Sequence, residues 1–379
     1  MNEPVIVAAK RTAFGKYGGT LRHLEPEQLM KPLFQYYSDL DSNVMQDIDE
    51  VVLGNVIGNG GNIARKALLE AGLNERIPGI TLDQQCGSGL AAIQYACRMI
   101  QAGAGKIYLA GGVESSSRAP WKIKRPQSVY ETQLPQFYDR ASFAPEGQDP
   151  SMIEAAENVA QQFNISRAMQ DQYTLQSYER TQRNAVTSIS QEILSLTVKG
   201  QSFFRDESVK SQVNERFLSR LKPLISGGTV TAGNSCMKND GAVLLLVMEK
   251  ETAIRLGYTQ GLQFMDSVTT GVSPETLGIG PIPAVKTILE RQSLDIADIH
   301  CVELNEAFAS KVLACQQQLG ITDEQLNRWG GALATGHPYG ASGAAIVTRL
   351  FYMDESEYSI ATMGIGGGMG DAVLFKRWR

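Results

Sequence analysis

An α/β scaffold made of two related halves, with a loop-rich region inserted between them, is the fold class this sequence predicts. Three observations predict it. Strand-like and helix-like runs alternate on both sides of the chain's middle, as they do in a helix-covered sheet. A helix-plus-strand motif recurs, SGLAAIQYACRMI from Ser88 being matched by SGAAIVTRLFYM from Ser342, each followed by a strand that ends in glycines. The step from Ser88 to Gly111 is 23 residues and that from Ser342 to Gly366 is 24, so duplication explains the match better than chance. The 37 glycines gather at strand ends rather than along a low-complexity tract.

The first half opens with the strand-like PVIVAA and EVVLGNV, then a helix at ARKALLEAGL, a strand at GITLD, a helix at GLAAIQYACRMIQAG and a strand at KIYLAGG. In the second helix Leu90, Ile93, Cys97 and Ile100 recur at helical spacing and form one apolar face. The chain then changes character. WKIKRPQSVYETQLPQFYDRASFAPEGQDP is rich in Pro, Tyr and charge without periodicity, and an insertion of this kind beside a compact core builds a substrate groove or an oligomer contact. Helices follow at SMIEAAENVAQQF and at SRAMQDQYTLQSYERTQRNA, where Ser166 suits an N-cap. Alternation resumes with strands DGAVLLLVMEK and QFMDSVTTGV, a helix from about Pro283, strand IHCVEL, helices AFASKVLACQQQLG and GAAIVTRLFYM, and strands YSIATMG and DAVLF. The expected division is 1–118 with 240–260 as the first half, 119–239 as the insertion and 261–379 as the second half.

Composition narrows the function. With 43% hydrophobic and 20% charged residues and a formal charge of -5, the 379-residue chain has no electrostatic footprint for nucleic acid or an anionic membrane. MNEPVIVAAK enters a strand at once, without a basic, apolar or cleavage-type leader, so a cytoplasmic location is expected. Five cysteines without a CxxC pair and three scattered histidines argue against a disulfide framework and against a metal site.

The chemistry gathers at three places. Cys86, in TLDQQCGSGLAAIQ, sits between a strand and a helix, where unpaired amides and the helix dipole favour a thiolate; a buried structural cysteine is the plainer alternative. Asn305 follows IHCVEL, and His337 lies in the glycine-rich GGALATGHPYGASG before a helix. Alone, such an Asn is a turn former and such a His a structural residue. Together with the cysteine they supply a nucleophile, a base and a polar orienter, the inventory of acyl transfer. The closing GIGGGMG is not a dinucleotide loop, because only nine residues follow Gly370 and no helix can form there.

QQCGSG, NEAFA, GGALATGHPYGASGA, GTVTAGNS with NDGA, and GIGGGMG together resemble the motifs of thiolases, in thiolase order and over essentially the whole chain. The resemblance implies a thiolase-like fold of two pseudo-symmetric five-stranded α/β/α halves with an inserted loop domain, assembled as a homodimer or homotetramer. It implies no cofactor beyond the coenzyme A thioester substrate. By it Cys86 takes the acyl group, His337 activates the thiol, Asn305 holds the water of a first oxyanion hole, and the Gly366 amide joins that of Cys86 in a second. Ser235, Cys236, Met152 and Ala232 are expected along the path of the acyl-CoA.

Four positions depart from the pattern, one of them Tyr339, where the thiolase motif HPLG has Leu. Where thiolases carry a second cysteine that moves the α-proton, this chain has Gly364; a Cys occupies position 236 in place of a serine, and Ser151 stands where a histidine is frequent. The expected function is acetyl-CoA C-acetyltransferase-like chemistry, with carbon–carbon bond formation or cleavage slowed at Gly364 or served by another residue. Acyl transfer or decarboxylative condensation without that cysteine, and acyl-CoA binding without turnover, are the alternatives.

Overall fold

The computed structural model describes residues 2–353 and 357–379 apart from 127, 129, 131, 133 and 139. In chain order the main elements are β1 (Pro4–Thr12), α1 (Pro26–Leu40), β2 (Glu50–Gly54), α2 (Ile63–Glu70), β3 (Gly79–Leu82), α3 (Ser88–Gln101) and β4 (Ile107–Ser115). The insertion carries α4 (Met152–Gln162) and α5 (Arg167–Asn184). Then come β5 (Asn239–Glu249), β6 (Gly261–Gly271), α6 (Pro281–Gln292), β7 (Cys301–Leu304), α7 (Ala309–Leu319), α8 (Tyr339–Tyr352), β8 (Tyr358–Ile365) and β9 (Met369–Trp378).

The duplication read from the sequence is visible in the strand pairing. From β1 outward the first half runs β5, β4, β2, β3, the first two pairings antiparallel and the last two parallel. From β6 outward the second runs β9, β8, β7, again antiparallel twice and then parallel. Its fifth strand is reduced to one parallel bridge, Val302 to Leu326. The reason is Asn327, whose backbone turns into the left-handed region at φ 44°. Its side chain accepts from Leu304 N at 2.8 Å and donates to Leu304 O at 2.9 Å, so an amide side chain supplies the next rung of the ladder. The halves join edge to edge where Val5 and Ile6 of β1 pair with Gln263 and Leu262 of β6.

Helices cover both faces. Leu90, Ile93, Cys97 and Ile100 of α3 and Ala344, Val347 and Leu350 of α8 form one cluster with Val52 and Val243 of the first half and Met363 and Phe375 of the second. α3 and α8 are therefore a shared central layer, and the face predicted for α3 is the one buried. Outside it, α1 and α2 pack on the first half through Leu29, Leu33 and Leu68, and α6 and α7 pack on the second through Ile288 and Val312. The central helices touch backbone to backbone: a Cβ on Gly89 would lie 2.5 Å from Gly340 O, and one on Gly343 2.4 Å from Leu90 N. Only glycine permits that approach. Among the described residues no helix is long and apolar enough to cross a membrane.

Candidate active site

The close contact of α3 and α8 brings their two N-terminal turns together, and Cys86 and His337 lie on those turns. The Cys86 turn is held by Ser88, whose hydroxyl accepts from Gln84 N at 2.8 Å and donates to Gln85 O at 2.6 Å. Gln85 sits at φ 51°, a conformation unfavourable for a residue with a side chain and stored here immediately before the thiol. On its other side the turn meets the C-terminal glycines. A Cβ on Gly87 would lie 2.5 Å from Ile365 Cδ1, and one on Gly366 3.5 Å from Gln85 Cγ and 3.2 Å from the Phe143 ring. Gly366 thus borders the Cys86 turn.

From its place before a helix the thiol is expected to have a lowered pKa; half-buried in the structure, it is shifted the other way. Cys86 precedes the Gly87 cap of α3, and burial pushes its thiol up to about 11, against a smaller downward pull from the Lys311 charge. Desolvation outweighs the helix terminus. A neutral thiol needs a base, and His337 is suited to be one. Its ring is 2% exposed, and burial pushes its pKa down to about 4. Nδ1 is 2.6 Å from Ser342 Oγ, while Nε2 is buried without a hydrogen-bond partner among the described residues. With Ser342 as acceptor the imidazole lone pair lies on Nε2. Tyr339 packs edge-on against the imidazole at 5.1 Å.

The His337 loop is fixed from three directions. Its amide donates to Met237 O at 2.9 Å, and Gly336, at φ 94°, has no room for a Cβ beside Asn239 Oδ1. Glu114 accepts from Gly340 N at 3.0 Å and also from Asn55, Val56 and Ile57; burial lifts its carboxyl to about 7. Glu306 accepts from Tyr173, Ser177, Asn327 and the Leu333 amide, bracing the chain that leads into His337. These positioning carboxylates do not stand out in the sequence, although Glu306 lies inside NEAFA.

Asn305 follows β7, its amide donating to Thr362 O at 3.1 Å. Its buried Nδ2 has no hydrogen-bond partner among the described residues. A cavity of ≈ 30 Å³ is lined by Asn305, Ser342, Thr335, Gly336 and Glu303 among others, roomy enough for a water. Cys236 joins from the insertion: its amide donates to Ala307 O at 3.0 Å, and burial together with the neighbouring Cys86 raises its thiol to about 12. Ser235 pairs with Phe308 and donates to Thr231 O at 2.8 Å. Met152 opens α4 and packs with Ala156, Val230 and Phe308, while Ala232 is exposed. Cys97, Cys301 and Cys315 are fully buried.

Gly364 is a strand residue, paired with Gly370 between β8 and β9. The left-handed glycines of the turn are Gly367 and Gly368, so the constraint at 364 is space: a Cβ there would meet Gly278 O at 3.0 Å and Gly278 Cα at 3.1 Å. Beside Gly278 lies a residue that the sequence motifs do not single out, Lys311 of α7. It is 5% exposed, and its stem fills the place a Gly278 side chain would take. A lysine between Phe308, Val312 and Cys315 on a helix face is the one signal in the sequence that marks it.

The chain matches the family model described as Thiolase, N-terminal domain over residues 4–251 and that described as Thiolase, C-terminal domain over residues 259–377. It is 65% identical over its full length to the full length of a Staphylococcus aureus (strain COL) protein named "Putative acetyl-CoA C-acetyltransferase VraB". A protein of that name from Staphylococcus epidermidis is 63% identical, aligned over 100% of this chain and 99% of its own. Among solved structures, the Bacillus anthracis acetyl-CoA acetyltransferase superposes with TM-score 0.94 at 33% identity over 100% of this chain and 99% of that one. Human mitochondrial 3-ketoacyl-CoA thiolase gives 0.92 at 31% identity, over 99% and 98%.

Proposed function

The chain belongs to the thiolase family of acyltransferases, and from that premise we propose that it works as an acetyl-CoA C-acetyltransferase through a thioester on Cys86. The observation that carries the reading is the pair of unpartnered buried nitrogens, His337 Nε2 and Asn305 Nδ2, the first in the loop whose Gly340 packs on the Cys86 turn at Gly89, the second beside the cavity that Ser342, the partner of His337, also lines. Buried polar atoms are ordinarily satisfied, so two orphans at one site favour groups kept for a substrate.

In this reading a neutral thiol gives its proton to His337 as its sulfur attacks the thioester carbonyl. Proton and charge move within the step, which suits a site whose burial disfavours both the thiolate and the imidazolium at rest. Coenzyme A leaves as its thiolate. Asn305, with a water, and the Gly366 and Cys86 amides stabilise the successive oxyanions, each donor of this kind contributing ~10²–10³ in rate. Ser235, Cys236, Met152 and Ala232 line the approach of the acyl-CoA, and the assembly is at least a dimer.

Acylation of Cys86 needs nothing at position 364, whereas making or breaking the carbon–carbon bond needs a proton carrier there or nearby. The test therefore isolates the first half-reaction. Isotopically labelled coenzyme A, mixed with acetyl-CoA and protein and no other acceptor, should exchange into acetyl-CoA, and Cys86→Ala should abolish the exchange. Exchange that survives Cys86→Ala, or its absence in the wild type, would leave acyl-CoA binding without turnover as the better description.

A further inference from the structure

Lys311 is a buried amine to which the acylation step above gives no proton-transfer part. Its Nζ has no hydrogen-bond partner among the described residues and lies 4.7 Å from the centroid of the Phe308 ring. A structural buried lysine is ordinarily paired, because an unpaired ammonium in a low-dielectric interior is costly. One contact of its own and two of its helix neighbours locate it. Phe308 pairs with Ser235, the neighbour of Cys236. Cys315, on the same helix, has its Sγ 3.6 Å from Gly278 O. The lysine stem occupies the side-chain space of Gly278, the same residue whose backbone a Cβ on Gly364 would touch. Lys311 and Gly364, the position that lacks a thiol, therefore both pack on Gly278.

We propose that Lys311 is the acid–base residue of the carbon–carbon step, its amine taking the part of the proton carrier that Gly364 does not provide. This rests on the acyl-Cys86 reading above. In condensation the neutral amine takes a proton from the methyl group of the second acetyl-CoA. The electron pair left on carbon attacks the acyl-Cys86 carbonyl, the new C–C bond forms, and the C–S bond to Cys86 breaks. The departing sulfur recovers the proton that His337 took during acylation, and the Lys311 ammonium returns its proton to solvent, balancing the one gained by the coenzyme A thiolate. In the cleavage direction the ammonium protonates the departing acetyl-CoA carbanion.

The environment suits that work. Burial pushes the Lys311 pKa down to about 8, which places it near working pH, as acid–base catalysis requires, and desolvation is a usual way of preparing a lysine for such a role. The titratable groups that face it are Cys86 on the turn before α3, Cys236 on the insertion and Cys315 on its own helix. The turn carrying Gly278 contributes backbone there, its carboxylate Glu275 being exposed.

The test follows the methyl protons of acetyl-CoA in D2O by NMR, with acyl-Cys86 measured in parallel by intact mass. Wild type should deuterate the methyl group, with a rate that rises through about pH 8. Lys311→Met should still form acyl-Cys86 while deuteration falls at least ~100-fold and loses that pH dependence. Lys311→Arg keeps a positive charge that cannot be deprotonated and should be equally deficient. Deuteration that persists in Lys311→Met, or that Lys311→Arg supports, would overturn the acid–base role. Wild type that forms acyl-Cys86 but never deuterates the methyl group would overturn it too, with the acyltransferase reading intact, whereas failure to form acyl-Cys86 at all would remove the reading on which it rests.

Discussion

His337 differs from an ordinary histidine in the pH range over which it stays a base. A solvated imidazole is half protonated near pH ~6.5, whereas burial holds this one neutral down to about 4. In the labelled coenzyme A exchange the kcat/KM for acetyl-CoA reports the free enzyme, so its acid limb should fall near pH 4 and not near the solvated value. His337→Asn should lower the exchange by ~10²–10⁴. At this scale the site is legible in the sequence wherever residue types combine into a chemical role: Cys86, Asn305 and His337 are each ordinary alone and stand out as a nucleophile, a polar orienter and a base together. The state of the thiol is not legible, because the helix-terminus effect is local and the opposing desolvation comes from segments far away in sequence. Lys311 is marked only by its apolar helix-face neighbours, since a lysine on a helix otherwise reads as solvated until the packing around it is known.

The α3 and α8 pair carries the geometry of the site, and its glycines set how closely the two N-terminal turns approach. Gly343→Ala would place a methyl group 2.4 Å from Leu90 N, backbone that cannot move without shifting a central helix. A cost of ~1–3 kcal/mol is expected, read as a lower urea midpoint at unchanged m-value. Gly271→Ala meets nothing within 4 Å and should leave the midpoint in place. The recurrence of serine, helix and glycine strand makes this pair visible in the sequence alone. Other elements are hidden there. No helix is expected from the sequence at α1, which contains Pro26 and Pro32, yet Pro26 is accommodated at the helix start and Glu25 with Gln28 closes a capping box. The fifth strand of the second half is equally hidden, because a side chain of Asn327 does there what a strand does in the first half.

Across the whole molecule the site is a composite. In the proposed mechanism Cys86 comes from the first half, Cys236 from the insertion, and Asn305, Lys311, His337 and Gly366 from the second half, so that reading requires every segment to be in place before the thiol meets its base. The two-half organisation can be read from the sequence because it is periodic along the chain; the convergence of the three segments cannot, since it depends on contacts between residues more than 200 positions apart, such as Gly340 N to Glu114. The central claim is that acyl transfer runs through Cys86. The most direct measurement is the intact mass of the protein after incubation with acetyl-CoA, followed by peptide mapping. One added acetyl group is predicted, carried by the peptide of Cys86, removed by free coenzyme A and absent from Cys86→Ala. An acetyl group mapped to Cys236, or an unchanged mass under conditions where acetyl-CoA is consumed, would contradict it.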